Sequence, residues 1–371
     1  MTYYRVDFKE LKEFCELSFI KRGFSEHDSR IISDVILLSD LYGIESHGLQ
    51  RLKMYHSDIK SGMVNRGSES EIIFETPVSG VIDAHFCSGH LAAHRGMSLA
   101  IEKAKKTGIG IITVKNSNHF GIAGYYSKMA CDRGLLGISF TNSGGLMVPT
   151  NGIIPMIGSN PIACAMPAEP YDFLFDASTT VVTLGKLEIY KKLDKPLPNG
   201  WAIDPRGNAS SDATAIIENI NSENGGGILP LGGDTENLGG HKGYGFGMIT
   251  EIFTSIISLG MTSNYCLKDN IDGCCHGFIA IDPNIFGGAK EIKDHLSKFL
   301  QELRESPKAQ NQGRIYTHGE KEIEAMEDRL ANGIMINENT MSELYELCTE
   351  LNIDFKVYFG NNVNPKENLL K

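Results

Sequence analysis

The chain has 371 residues, of which 41% are hydrophobic and 22% charged, and its formal net charge at pH 7 is −11. This composition excludes a largely disordered, collagenous or coiled-coil protein, and the acidic balance disfavours a nucleic-acid-binding role. No apolar run reaches about 18 residues, so no membrane span is predicted. Charges in the first fourteen positions argue against a signal peptide, and eight scattered cysteines without a Cys-x-x-Cys pair indicate reduced thiols. These features predict a cytoplasmic protein without partners among membranes or nucleic acids.

The first 62 residues predict three helices. Asp7 is the expected cap of the first helix and Ser25 that of the second, and the third is expected from Ser46 to Gly62. The C-terminal region predicts further helices over 289–304, 319–332 and 340–352, the last opened by a capping box of Thr340 and Glu343.

The central region differs from both terminal regions because its sequence predicts strands as well as helices. Short β-rich runs are expected at 72–74, 80–84, 110–113, 137–141, 161–165, 173–175 and 277–281. Helices are expected at 90–106, 122–132, from Ser178 or Thr179 to about Leu193, and from Tyr244 to Leu259. Because strands and helices do not alternate regularly, the pattern disfavours a doubly wound parallel sheet.

Common catalytic and nucleotide-binding motifs are missing from the sequence. Gly108-Ile-Gly110 does not match the Rossmann fingerprint, because position 113 is threonine where the third glycine is needed. The segment also leads from a helix to a strand, whereas the fingerprint leads from a strand to a helix. No Walker A motif, nucleophile elbow or His-Glu-x-x-His motif occurs. A metal site is not predicted either, because no carboxylate or cysteine is spaced to complete a set with His90 and His94.

One polar group lies at the start of the third predicted helix. His47, Arg51 and Tyr55 would share one helix face, with Ser46 just before them. A guanidinium fork suits a carboxylate, and an imidazole and a phenol beside it suit a small polar acid. The alternative is an ordinary amphipathic helix with a solvated polar face.

Three other segments carry candidate chemistry. His119 follows a β-rich run and precedes a helix, where a histidine near its normal pKa can exchange a proton; the alternative is a turn histidine of structural role. The segment from Asp176 to Thr180, with Lys186 further on, suggests either an anion-binding helix start or a plain helix cap. The glycine-rich segment around His241 and Lys242 suggests either close approach to a phosphate or a flexible hinge.

These segments together resemble one family, the type 2 malate/L-lactate dehydrogenases. The resemblance spans about residues 5 to 355 and is carried by SHGLQRLKMY (46–55), NSNHFGIAGYY (116–126), TNSGGLMVPTNG (141–152), IGSNPIACAMPA (157–168), DASTTVVTLGK (176–186), ILPLGG (228–233), GGHKGYGFG (239–247) and GIMINENT (333–340).

The resemblance implies an α+β, non-Rossmann fold with a largely antiparallel central sheet and a helical domain built from both termini. It implies a helical substrate and dimerisation domain of residues 1–75 with 290–371, and an NAD(P)-binding sheet domain of residues 76–289 with an inserted subdomain. It also implies a homodimer that interconverts a 2-hydroxy acid and its 2-oxo acid, with malate and oxaloacetate as the favoured pair and NAD favoured over NADP.

Carried over by position, the resemblance makes His119 the principal acid/base, with His47 as its rival or partner. Arg51 becomes the substrate-binding arginine, with Ser46 and Tyr55 beside it. The implied cofactor contacts are Ser143, Asp176, Ala177, Ser178, Thr179, Thr180, Lys186, His241, Lys242, His318, Gly319 and Glu320.

The sequence departs from the family at two places near these contacts. Relatives often have proline at the position of His318, and many have a shorter segment than 234–240. Activity on lactate, sulfolactate or ureidoglycolate, imine reduction, and a non-catalytic nucleotide-binding role remain as alternatives.

Overall fold

The computed structural model describes residues 2–67, 69–266 and 273–360. The helices found there are α1 (Phe8–Lys21), α2 (Glu26–Leu41), α3 (Leu52–Ser61), α4 (Gly89–Thr107), α5 (Ala123–Cys131), α6 (Leu184–Lys192), α7 (Ala213–Ser222), α8 (Gly240–Glu251), α9 (Ala289–Glu305), α10 (Glu320–Asn332), α11 (Glu338–Leu351) and α12 (Phe355–Phe359). The strands are β1 (Tyr3–Val6), β2 (Glu71–Glu75), β3 (Ser79–Asp83), β4 (Ile109–Ser117), β5 (Leu136–Thr141), β6 (Ile162–Met166), β7 (Phe173–Ala177), β8 (Ala202–Ile203), β9 (Gly227–Ile228), β10 (Cys274–Ile281) and β11 (Ile334–Asn337).

The chain forms two compact units. One unit comprises Met1–Arg66 and His295–Lys371, and the other comprises Gly67–Asp294. The substrate and cofactor roles expected of the two domains stay predictions. No helix among the described residues has the length and apolar character needed to cross a membrane.

Local capping signals determine how the first unit begins. The Asp7 carboxylate accepts a hydrogen bond from the Lys9 N–H at 2.8 Å and Ser25 Oγ accepts one from the Asp28 N–H at 3.0 Å, so both predicted helix caps are confirmed. The apolar faces of these helices are fully buried, with Leu11 and Phe14 from α1 and Ile36 from α2 at 0% exposure. Burial of this size contributes roughly 1.5–3 kcal/mol for each large side chain.

Two expectations for this unit are wrong, and one strand pair was missed. The helix expected from Ser46 to Gly62 is interrupted at Gly48, which lies between the 3-10 turns Glu45–His47 and Leu49–Arg51, and α3 begins only at Leu52. Thr340 does not cap α11; Asn337 does, accepting a hydrogen bond from the Thr340 N–H at 2.9 Å. The antiparallel pair of β1 and β11 was not expected, because its strands are short and more than 300 residues apart.

A seven-stranded sheet organises the second unit. Its strand order is β2-β3-β4-β10-β5-β6-β7, and within the described residues β3 and β4 form its single parallel pair. The expected largely antiparallel, non-Rossmann sheet is therefore confirmed. Helix α4 packs on β4 and β10 and helix α5 on β5 and β6, which buries one sheet face. A smaller lobe is formed by α6, α7, β8 and β9 around the buried Leu187, Ile216 and Ile228.

Two helix boundaries of this unit differ from expectation. Helix α6 begins at Leu184 rather than at Ser178 or Thr179, because the preceding backbone is extended and bonded elsewhere. The Thr179 N–H donates to Ser159 O and the Val181 N–H donates to Leu229 O, both at 2.9 Å. The glycine-rich helix begins at Gly240, earlier than the expected Tyr244, and continues as a π-helical stretch over Ile252–Ile256.

Candidate active site

The structure brings Ser46, His47 and Arg51 together on the two 3-10 turns. Ser46 Oγ lies 2.9 Å from His47 Nδ1, and Arg51 Nε donates to the Ser46 carbonyl oxygen at 2.9 Å. Burial, helped by the neighbouring Arg51 charge, lowers the pKa of His47 to about 4. The imidazole is therefore neutral at pH 7, and a cation suited to a carboxylate lies beside it.

The predicted single helix face for these residues is wrong, but two of its three members still meet. Gly48 adopts an extended conformation between His47 and Arg51, so the i, i+4 and i+8 spacing does not apply. Tyr55 follows on α3 with only 5% of its surface exposed. Its substrate-binding role stays a prediction.

His119 lies in the loop between β4 and α5, and its neighbours hold this loop firmly. The Asn116 amide donates to both oxygens of Asp83 at 2.9 and 3.0 Å. The Asn118 amide donates to the carbonyl oxygens of Phe86 and Cys87, both at 2.9 Å. The half-buried His119 side chain is thus presented by a loop with little freedom.

The ring of His119 contacts the backbone of its own loop. The Gly121 N–H points at Nδ1 with an N···N distance of 3.4 Å. With this contact made, the neutral ring carries its proton on Nε2, from which it can donate to a carbonyl oxygen.

Behind this loop lies a buried histidine that sequence reasoning missed. His276 is 0% exposed; its Nε2 lies 2.8 Å from Ser117 Oγ and its Nδ1 2.8 Å from Thr141 Oγ1. Its ring stacks on Phe120 with 4.5 Å between the centroids, and burial lowers its pKa to about 3. His276 therefore stays neutral and supports the loop that carries His119. The Cys275-His276 pair gives no sequence signal for this role.

Asp176 connects the His119 loop to the hydroxyl-rich segment. Its Oδ2 accepts a hydrogen bond from the Gly124 N–H at 2.7 Å, at the first turn of α5. Asp176 lies on β7, and Ala177, Ser178, Thr179 and Thr180 follow it directly. Thr179 and Thr180 are buried, and the Thr179 carbonyl accepts from the Leu231 N–H at 2.9 Å. The expected helix start is wrong here, so no row of free helical N–H groups is presented, and the Thr179 and Thr180 hydroxyls donate to the carbonyl oxygens of Ser159 and Val182 at 3.1 and 2.7 Å.

Ser143 lies beside this segment. Its Oγ accepts a hydrogen bond from the Ser159 N–H at 3.1 Å, and its own N–H donates to Asn160 Oδ1 at 3.3 Å. The Ser159 carbonyl in turn accepts from Thr179. The structure therefore places Ser143 and Thr179 against one shared loop.

A buried carboxylate fixes these loops to the helix behind them, and sequence reasoning missed it. Glu251 on α8 is 9% exposed and accepts from Asn160 Nδ2 at 2.9 Å, Asn142 Nδ2 at 3.3 Å and Ser255 Oγ at 2.5 Å. Ser263 also donates to it through its hydroxyl. Four donors offset the cost of burying the charge.

The glycines of α8 let the helix pack closely against neighbouring segments, as well as allowing close approach of a ligand. A Cβ at Gly243 would lie 2.3 Å from the Leu231 carbonyl oxygen, and one at Gly247 would lie 3.3 Å from Thr179 Oγ1. The helix therefore lies directly against the segment that follows Asp176. His241 and Lys242 are exposed in its first turn, where the helix dipole favours an anion.

The remaining predicted cofactor contacts lie on other elements of the chain. Lys186 is exposed in the first turn of α6. His318 and Gly319 lie in the other unit, in the turn before α10. The Glu320 carboxylate is fully buried and occupied by Arg304 at 3.1 Å and Arg314 at 2.5 Å, so it holds this turn in place.

Comparisons with known proteins agree with this fold. The family profile described as malate/L-lactate dehydrogenase matches residues 6–345. The chain is 42% identical to a malate dehydrogenase of Pyrococcus horikoshii, covering 95% of this chain and 97% of the relative, and 36% identical to a malate/(S)-sulfolactate dehydrogenase of Methanothermus fervidus, covering 90% and 94%. The crystal structure of a malate dehydrogenase from Entamoeba histolytica superimposes with a TM-score of 0.92 at 34% identity, covering 95% of this chain and 99% of that one.

Fold and relatives therefore define the chain as an oxidoreductase with a non-Rossmann sheet. It belongs to the malate/L-lactate dehydrogenase family. The expected family is confirmed, whereas the roles of single site residues stay predictions.

Proposed function

We propose that this protein is an NAD-dependent dehydrogenase that interconverts malate and oxaloacetate. The similarity to malate dehydrogenases over 95% of the chain carries this proposal. The bond between Asp176 and the first turn of α5 supports it, because it joins the loop of the predicted acid/base to the segment predicted to contact the cofactor.

The residues present fit a dinucleotide. Exposed His241 and Lys242 at the start of α8 suit a pyrophosphate, and the half-buried hydroxyls of Ser143 and Ser178 suit ribose and phosphate oxygens. Asn118 Oδ1, next to His119, is buried and has no hydrogen-bond partner within the described part of the chain, so an acceptor is available for a ligand amide. When bound, the nicotinamide supplies the hydride acceptor or donor at its ring.

The chain's own residues supply binding and proton transfer. Arg51 binds the carboxylate next to the reacting carbon through its planar fork. His119 takes the hydroxyl proton as the alcohol is oxidised and returns it to the carbonyl oxygen in reduction. His47, kept neutral by burial and by Arg51, lies beside the bound carboxylate as a second proton acceptor.

The activity is tested with purified protein by following NADH absorbance. Malate, L-lactate, sulfolactate and ureidoglycolate are each supplied with NAD and with NADP. We expect the highest kcat/KM for malate with NAD. Lack of turnover with every pair would refute the proposal and favour a non-catalytic nucleotide-binding role.

A second substrate has specific support. The Methanothermus relative, named for both malate and (S)-sulfolactate, is 36% identical over 90% of this chain. Sulfolactate replaces the distal carboxylate of malate by a sulfonate, a tetrahedral anion that a cation can also bind. A kcat/KM for sulfolactate above that for malate would favour this substrate.

We also propose a homodimer, supported by the outward face of α8 and its π-helical continuation. The buried positions there are small or polar, as at Thr250, Glu251 and Thr254. The exposed positions are large and apolar: Phe246, Met248, Ile249, Ile252, Ile256, Ile257 and Leu259. Such an apolar surface indicates a protein contact.

Ile252→Glu should convert the dimer to a monomer, because it places a charge among these apolar side chains. Light scattering after size exclusion measures the mass. Ile285→Glu, at an apolar residue of similar exposure on a different element, serves as the control. A monomeric wild-type protein would contradict the proposal.

A further inference from the structure

The two 3-10 turns that carry His47 and Arg51 rest on a buried carboxyl group. Asp40, near the end of α2, is only 4% exposed, and its Oδ2 accepts a hydrogen bond from the Leu49 N–H at 2.8 Å. Leu49 begins the turn that ends at Arg51. One side chain thus fixes the backbone between the two site residues.

The contact is close enough to dictate the neighbouring residue. A Cβ at Gly48 would lie 2.1 Å from Asp40 Oδ1, a distance that no side chain can occupy. The backbone of Gly48 therefore lies directly on the carboxyl group, between His47 and Leu49. Any shift of Asp40 is transmitted to both ends of this bend.

We propose that Asp40 is a positioning residue, whose carboxyl group holds the Gly48–Leu49 bend and so sets the spacing of His47 and Arg51 for the acid substrate. This inference rests on the proposed function, since it assigns a role in binding the same 2-hydroxy acid.

The surroundings make this carboxyl group sensitive to pH. Burial and the nearby Glu45 raise the pKa of Asp40 to about 7, against the Leu49 N–H and the Arg329 guanidinium, which lower it. The Cys15 thiol of α1 faces the same carboxyl group, and burial raises the thiol pKa far above neutral, so it stays uncharged. Arg329 itself donates to the Asp40 backbone carbonyl and lies 3.4 Å from Glu45.

Ionisation of the Asp40 carboxyl group strengthens its hydrogen bond to the Leu49 N–H. A hydrogen bond to a charged acceptor is roughly twice as strong as one to a neutral acceptor, a gain of up to roughly fivefold in an equilibrium constant. The turn is therefore held best above about pH 7, and the KM for the acid should fall by up to roughly fivefold as pH rises from 6 to 8.

The test compares Asp40→Asn with the wild-type enzyme. Asparagine has the same shape and can accept from the Leu49 N–H, but it does not titrate. We expect the variant to lose the change in acid KM near pH 7, while the KM for the dinucleotide follows the wild-type profile. Asp34→Asn makes the same chemical change at a half-buried position of α2, where the carboxylate pairs with Lys12, and should keep the wild-type profile.

A second variant keeps the test valid if Asp40→Asn does not fold. Glu45→Gln removes a charge that raises the pKa of Asp40, so the midpoint of the acid-KM transition should move to lower pH. An unchanged midpoint, or a full transition in Asp40→Asn, would overturn the role of Asp40. Lack of dehydrogenase activity in the wild-type protein would instead refute the proposed function.

Discussion

The buried carboxyl group of Asp40 leads to a prediction about stability that needs no substrate. The pKa of Asp40 is raised from 3.8 to about 7 in the folded protein. Between these values the folded chain binds a proton that the unfolded chain has lost. The free energy of unfolding must therefore decrease as pH rises through this window and level off above the folded pKa.

The magnitude follows from the shift. About three pKa units correspond to at most about 4 kcal/mol, of which about 2 kcal/mol falls between pH 5 and pH 7. Asp40→Asn removes this contribution, because the amide does not ionise. The variant should become more stable than the wild-type protein at pH 8, while at low pH, where both side chains are neutral, the two should be similar.

Urea unfolding of both proteins at pH 5 and pH 8 measures the difference. All other titrating groups are shared, so they cancel in the comparison. If Asp40→Asn is less stable than the wild-type protein at pH 8, and this deficit is larger than the one at pH 5, the reasoning is refuted. Such a result would show that ionised Asp40 stabilises the fold. If Asp40 positions the site, we expect its carboxyl group to be kept at this position although its ionised form lowers the stability of the fold.

Three further substitutions test the site. His119→Asn should reduce turnover at least about a hundredfold with little effect on dinucleotide binding; an active His119→Asn beside an inactive His47→Asn would reverse their roles. Arg51→Lys keeps the charge but loses the fork, so the KM for malate should rise roughly tenfold or more; an unchanged KM would show that the carboxylate is bound elsewhere. Lys242→Ala should raise the dinucleotide dissociation constant in calorimetry, whereas Lys290→Ala, at an exposed lysine of α9, should not.

Local signals predicted the elements well where one short segment determines the outcome. Asp7 and Ser25 cap their helices as expected, because a capping side chain bonds a backbone N–H two or three residues away. The absence of a strand-to-helix Gly-x-Gly-x-x-Gly segment likewise argued against a Rossmann sheet. The antiparallel sheet was then predicted from the family resemblance, because the spacing of residues alone did not predict it.

Long-range contacts decided the features that were missed. Gly48 interrupts the expected helix because its Cα packs directly against the carboxyl group of Asp40, which lies eight residues earlier in the chain. Thr179 bonds to Ser159 rather than starting a helix, and β1 pairs with a strand at the other end of the chain. The buried Glu251 and His276 had no sequence signal, because most of their partners come from segments 91 to 159 residues away.

The central claim is that hydride leaves the C2 atom of malate for a nicotinamide cofactor. The most direct measurement supplies malate deuterated at C2 with unlabelled NAD and determines the mass of the reduced dinucleotide. The account predicts that the reduced cofactor carries the deuterium and that the rate falls relative to unlabelled malate when hydride transfer limits turnover. Reduced cofactor without deuterium, or no reduced cofactor at all, would contradict it.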